Sequence, residues 1–174
     1  MNWLRSVLTA MVFVAVSAQA KVPPMVEQVA REQGVPPGIF YALVLAESQS
    51  KTQAGYKPWP WVINHRGQPR YFATQADAYA YTQILIGQGD FKFDAGIAQV
   101  NWRWHRQRFQ YDLWWAFDPY TNLTVSAQIL REQFERPECN EWRLAVGCYH
   151  RPAQGKPAER YAARVMQLWE KYVL

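Results

Sequence analysis

Most of the chain carries hydrophobic residues at helical spacing, and one block between residues 56 and 93 does not. VPPMVEQVAREQG (22–34) places Val26, Val29 and Ala30 three and four residues apart and stops on Gly34, which predicts a helix. PPGIFYALVLAES (36–48) opens on prolines suited to a first turn and stays apolar almost to its end, the pattern of a largely buried helix. Asp118 and Pro119 supply a cap and a first-turn proline for a helix over 120–134, in which Leu123, Ile129, Leu130 and Phe134 keep a rough common face. EWRLAVGCYH (141–150) and AERYAARVMQLWEKYV (158–173) read as two more helices. In the exceptional block, β-favouring residues within 59–72 flank NHRG, which predicts a hairpin. A helix follows, started by Thr74 and Asp77 and closed by Gly87 and Gly89. The expectation is an α+β, predominantly helical domain over 21–174, with a hairpin and helix inserted at about 56–93.

The first twenty residues change the picture of where this domain works. Arg5 precedes a short apolar run from Val7 to Val16, and Ala18-Gln19-Ala20 forms an A-x-A site, so residues 1–20 read as a cleavable signal peptide. The run is short of the roughly 20 apolar residues a bilayer span needs. Cleavage removes one of 19 basic side chains and no acid, which leaves 18 against 14 and a net charge of +4. An exported protein meets an oxidising compartment, where Cys139 and Cys148 are expected to pair. The charge suits an anionic partner, but the cations are scattered rather than massed, which argues against nucleic acid. His65, His105 and His150 lack metal-ligand spacing, and there is no phosphate loop or serine-histidine-acid order. Neither a metal nor another cofactor is expected.

The chemistry turns on Glu47. It continues the helical stripe of Phe40, Leu43 and Val44, so its carboxylate extends an otherwise apolar face in the last turn, where the helix dipole is negative. Both conditions disfavour the anion and raise the pKa, and a carboxyl protonated near neutral pH is what general-acid cleavage of a glycosidic bond requires. Periodicity alone leaves two readings open: this acid, or a helix end that simply surfaces.

Four motifs in order carry a resemblance: AES (46–48), GIAQVN (96–101), DPYTNL (118–123) and AVGCYH (145–150), with RYAARV (160–165) as a closing element. Together they resemble the family 1 lytic transglycosylases, which have a lysozyme-like fold, across about residues 26–172. The resemblance implies that Glu47 is the catalytic acid/base. It would protonate the oxygen between N-acetylmuramic acid and N-acetylglucosamine, then act as base while the muramoyl 6-hydroxyl closes a 1,6-anhydro ring. It also implies that Ser48 lies beside the acid with its hydroxyl near the sugar's acetamido group, against the alternative of a serine that merely ends the helix. Gln99 and Asn101 would line the sugar cleft, and the Tyr149 hydroxyl would sit near Glu47. Tyr161 is a weaker site candidate and Asn122 a structural one. The family needs no second carboxylate; Asp94 is the candidate if one exists, against the alternative of a capping or loop acid.

Three departures from the family pattern stand out. Ala98 replaces a methionine expected to touch substrate, His150 replaces an asparagine and brings a titratable ring, and Glu47 and Gly96 stand 49 residues apart, a longer connection than usual that the insert fills. KPWPWVIN and GIAQVNWRWH are similar to a subgroup linked to conjugative elements and secretion systems. The implied partners are peptidoglycan glycan strands in the periplasm and the assembly machinery of such a system, with the membrane involved only through the signal peptide. Trp59, Trp61, Trp102 and Trp104 are open to sugar stacking or to packing, with packing favoured for at least two. Two rival functions share the sequence features: a lysozyme-type hydrolase, and a non-catalytic wall-binding component.

Overall fold

The computed structural model describes residues 22–52 and 55–174; the expected signal peptide lies outside them. Six longer helices take the positions that hydrophobic spacing marks out: α1 (Pro24–Glu32), α2 (Pro37–Ser48), α3 (Gln75–Gly87), α6 (Pro119–Phe134), α7 (Trp142–His150) and α8 (Lys156–Tyr172). Two four-residue helices, α4 (Trp102–His105) and α5 (Leu113–Ala116), lie between them, along with 3-10 turns at Arg106–Phe109 and Pro137–Cys139. The fold is α+β and predominantly helical. Local signals start the helices as expected. The Thr74 hydroxyl oxygen accepts from the Asp77 amide at 3.1 Å, and Asp118 accepts from the Thr121 amide at 2.8 Å.

The helix α2 is the axis of the larger core. Every residue from Phe40 to Ala46 is buried, so the stripe ending on Glu47 is not one face of an amphipathic helix; the helix is enclosed on all sides. It packs against α1 and α8. The absence of any charge from Pro37 to Ala46 is the sequence form of such a helix, since no side needs to meet water. α6 separates this core from a second one. Its Leu123, Ala127 and Leu130 join the α2 core, while Val125 and Ile129 join a cluster of Ile63, Phe93, Trp102, Phe109 and Phe117.

The strands are where the structure adds most. β1 (Gln49–Thr52) follows α2 directly and pairs antiparallel with β2 (Gly55–Pro58). The expected hairpin is β3 (Val62–His65) with β4 (Gln68–Tyr71), turning on Arg66 and Gly67, both at positive φ (55° and 77°), as the favoured two-residue turn requires. It is not a free-standing appendage. β3 also pairs with β5 (Phe93–Ala95), and β5 with β6 (Val100–Asn101), giving a four-stranded sheet in the order β4-β3-β5-β6. The insert therefore runs straight into GIAQVN.

The expected disulfide is present between Cys139 and Cys148, tying the 3-10 turn to α7. Among the described residues, no helix is long and apolar enough to cross a membrane.

Candidate active site

Two chain segments meet to form the site: the C-terminal turn of α2, which bears Glu47, and the tight connection between β5 and β6, residues 96–99. The connection is pinned from three directions. The Asn122 side chain, buried in α6, accepts from the Ala98 amide at 2.9 Å and donates to the carbonyls of Ala95 (2.9 Å) and Ala116 (2.8 Å). The Tyr149 hydroxyl donates to the Ala98 carbonyl at 2.9 Å and lies 3.0 Å from the Ser126 hydroxyl. The Ser48 hydroxyl, at the end of α2, donates to the Ile97 carbonyl. Gly96 is required here on two counts. Its φ is +81°, and a Cβ would lie 2.4 Å from Asn122 Nδ2 and 2.5 Å from the Ala116 carbonyl oxygen.

These contacts reassign several expected roles. Ser48 is fully buried and spends its hydroxyl on the backbone, so it fixes Glu47 against the connection and does not line the cleft. Ala98 is buried in the α2 core, so the smaller side chain there costs a core contact and not a substrate contact. The Tyr149 hydroxyl is close enough to Glu47 to feel its charge, as expected, and donates its hydrogen to Ala98.

The cleft has a volume of about 750 Å³ and brings together Glu47, Asp94, Gln99, Asn101, Tyr149 and His150. Burial pushes the Glu47 carboxyl up from an ordinary 4.5 to about 7, and the nearby Asp94 charge adds to the rise. Two groups pull against it: the Tyr161 hydroxyl, which donates to Glu47 Oε1, and the Arg164 guanidinium. Burial and the Glu47 charge drive the hydroxyls of Tyr149 and Tyr161 upward, so both are firmly protonated donors.

Asp94 sits mid-strand on β5, opposite Asn64 of β3 and Asn101 of β6. It is a sheet residue facing the cleft and caps no helix. Asn101 Nδ2 donates to it at 2.7 Å, while Asn101 Oδ1 accepts from the Trp104 amide at 3.3 Å and caps α4. Burial raises the Asp94 pKa, and the Asn101 bond partly offsets this. Gln99, held at φ +48°, donates both amide hydrogens to the carbonyls of Val62 (3.0 Å) and Gly96 (2.9 Å), which leaves its Oε1 acceptor to offer the cleft. The His150 ring stacks flat on the Tyr161 ring, 4.3 Å between centroids. Partial burial, Arg164 and Arg151 lower its pKa, which favours the neutral ring at pH 7.

Sequence reasoning missed Asn64 and Arg164. Asn64, next to a hairpin turn, read as turn chemistry, and its Oδ1 is buried without a partner in the cleft wall. Arg164 lies three residues after Tyr161 on α8, so helical spacing was the available signal. Of the four tryptophans first considered, Trp102 stacks between Phe93 and Phe109, Trp59 donates to the Phe72 carbonyl, and Trp61 packs edge-on against Trp59. Trp104 alone of these is exposed, at 65%, and it lines the cleft.

Among the described residues, no cluster of three histidine, cysteine, aspartate or glutamate side chains could hold a metal ion. Compared with family models, curated proteins and solved structures, the chain finds no match.

Proposed function

We propose that this protein is an exported peptidoglycan lytic transglycosylase with Glu47 as its catalytic acid/base. The observation that carries the reading is the Glu47 carboxyl, held protonated to about pH 7 by burial at the wall of a cleft lined with amides and aromatic rings. Protonated Glu47 donates to the departing oxygen of N-acetylglucosamine as the bond to the muramoyl anomeric carbon breaks. The resulting carboxylate accepts the muramoyl 6-hydroxyl proton as that oxygen attacks the same carbon. A 1,6-anhydro end forms, Glu47 regains its proton, and no water is consumed. Tyr161 steadies the carboxylate half of this cycle by donating to Oε1, and Gln99 Oε1 and Trp104 offer an acceptor and a stacking face to sugar. The reading rests equally on the order of AES, GIAQVN, DPYTNL and AVGCYH. Its setting, local wall opening in the periplasm for a conjugation or secretion apparatus, rests on the signal-like N-terminus and the subgroup resemblance.

A second reading is favoured by Asp94: two carboxyl groups line one cleft, and a lysozyme-type hydrolase uses such a pair with water. Digestion of purified sacculi by the mature protein and by Glu47→Gln, followed by mass analysis of the fragments, tests both. Anhydro ends that depend on Glu47 support the transglycosylase. Reducing ends support the hydrolase, and no Glu47-dependent fragments contradict both.

A further inference from the structure

A second concavity, of about 580 Å³, is lined by Arg66, Lys92, Arg103 and Arg106 together with Asp90 and Phe91. Its only acid is already satisfied. Asp90 takes Arg66 at 2.8 Å, His65 at 3.0 Å and the Lys92 amide at 3.0 Å. Lys92, Arg103 and Arg106 make no ion pair with any described carboxylate. Two of these cations are oriented by aromatic faces: Arg106 lies 5.1 Å over the Phe91 ring, and Arg103 lies 5.1 Å over Trp104. Three uncompensated cations around one hollow repel one another until an anion enters.

The hollow and the cleft share α4. Arg103 lines the first and the next residue, Trp104, lines the second, with the guanidinium over the indole face. A polymer lying in the cleft past Trp104 thus passes beside Arg103 at the edge of the hollow. We propose that this hollow is a carboxylate-binding subsite for the acidic peptide stem carried by a glycan strand in the cleft. The inference rests on the wall-glycan reading of that cleft. Guanidinium and ammonium groups suit carboxylates.

The test uses the mature protein and two double variants, Lys92→Ala/Arg103→Ala and the charge-retaining Lys92→Arg/Arg103→Lys. Both positions are exposed, so folding is preserved. kcat/KM is measured on stem-bearing glycan and on strands stripped of stems by an amidase. Wild type prefers the stem-bearing strands; the alanine pair loses about fivefold on them, keeps its rate on stripped strands, and regains the preference in the charge-retaining pair. High salt removes the wild-type preference. An equal loss on both substrates, or no loss on either, overturns the subsite. So does binding to vesicles of anionic lipid that depends on these cations while stem preference is unaffected. Failure of the cleft reading looks different: Glu47→Gln would then cleave both substrates as wild type does, or wild type would cleave neither.

Discussion

Replacing Glu47 by Gln separates the desolvation argument from catalysis, because it makes a prediction about stability. Burial raises the folded-state pKa from 4.5 to about 7, so the folded protein holds a proton that the unfolded chain has released. Stability therefore falls as pH rises from about 4.5 through 7, and the full penalty on the ionised form is present above that range. At 1.36 kcal/mol per pH unit, it amounts to about 3 kcal/mol at pH 8 and about 1 kcal/mol at pH 5. Glutamine mimics the protonated acid and keeps an oxygen to accept from Tyr161, so the variant carries no such penalty. Relative to wild type, Glu47→Gln should gain about 2 to 2.5 kcal/mol between pH 5 and pH 8, or roughly 4–10 °C in Tm. Urea unfolding of both proteins at the two pH values reads this directly. Any fixed cost of the substitution cancels in the comparison. An offset that is the same at both pH values would refute the desolvated carboxyl, and the acid role with it.

Tyr161→Phe removes a hydrogen bond that favours ionised Glu47, so the alkaline limb of the pH–kcat/KM profile should move up by about one unit while activity persists. Asp94→Asn removes a charge that raises the Glu47 pKa, so the same limb should move down by about half a unit; a rate loss of about a thousandfold or more would instead assign Asp94 a direct chemical role. Asn122→Ala leaves three buried backbone groups of the β5–β6 connection and its supports unpaired and should cost about 3–5 kcal/mol in urea unfolding. Reducing the bridge between Cys139 and Cys148, which are nine residues apart, should lower stability by about 2.5 kcal/mol, measured with and without reductant.

The long helices were legible because hydrophobic spacing and caps are local. Thr74, Asp118 and the proline starts each act within one turn. The cleft itself was legible only in part. β5 and β6 have three and two residues, too few to show alternation, and α4 and α5 span one turn each. Ser48 and Ala98 read as substrate-facing because the motif places them beside the acid and the glutamine. Ala98 is turned inward by Asn122 and Tyr149, which come from α6 and α7 far along the chain, and Ser48 by the Ile97 carbonyl of the β5–β6 connection. Asn64 escaped for the same reason, since only pairing with Asp94 brings it to the cleft.

The most direct test of the central claim is the mass of the fragments released from purified sacculi near neutral pH by wild type and by Glu47→Gln. Wild type should release muropeptides one water lighter than the hydrolysed form, with anhydromuramic ends, and the variant almost none. Fragments with reducing muramic ends would contradict the intramolecular closure, and anhydro products undiminished in the variant would contradict Glu47 as the acid.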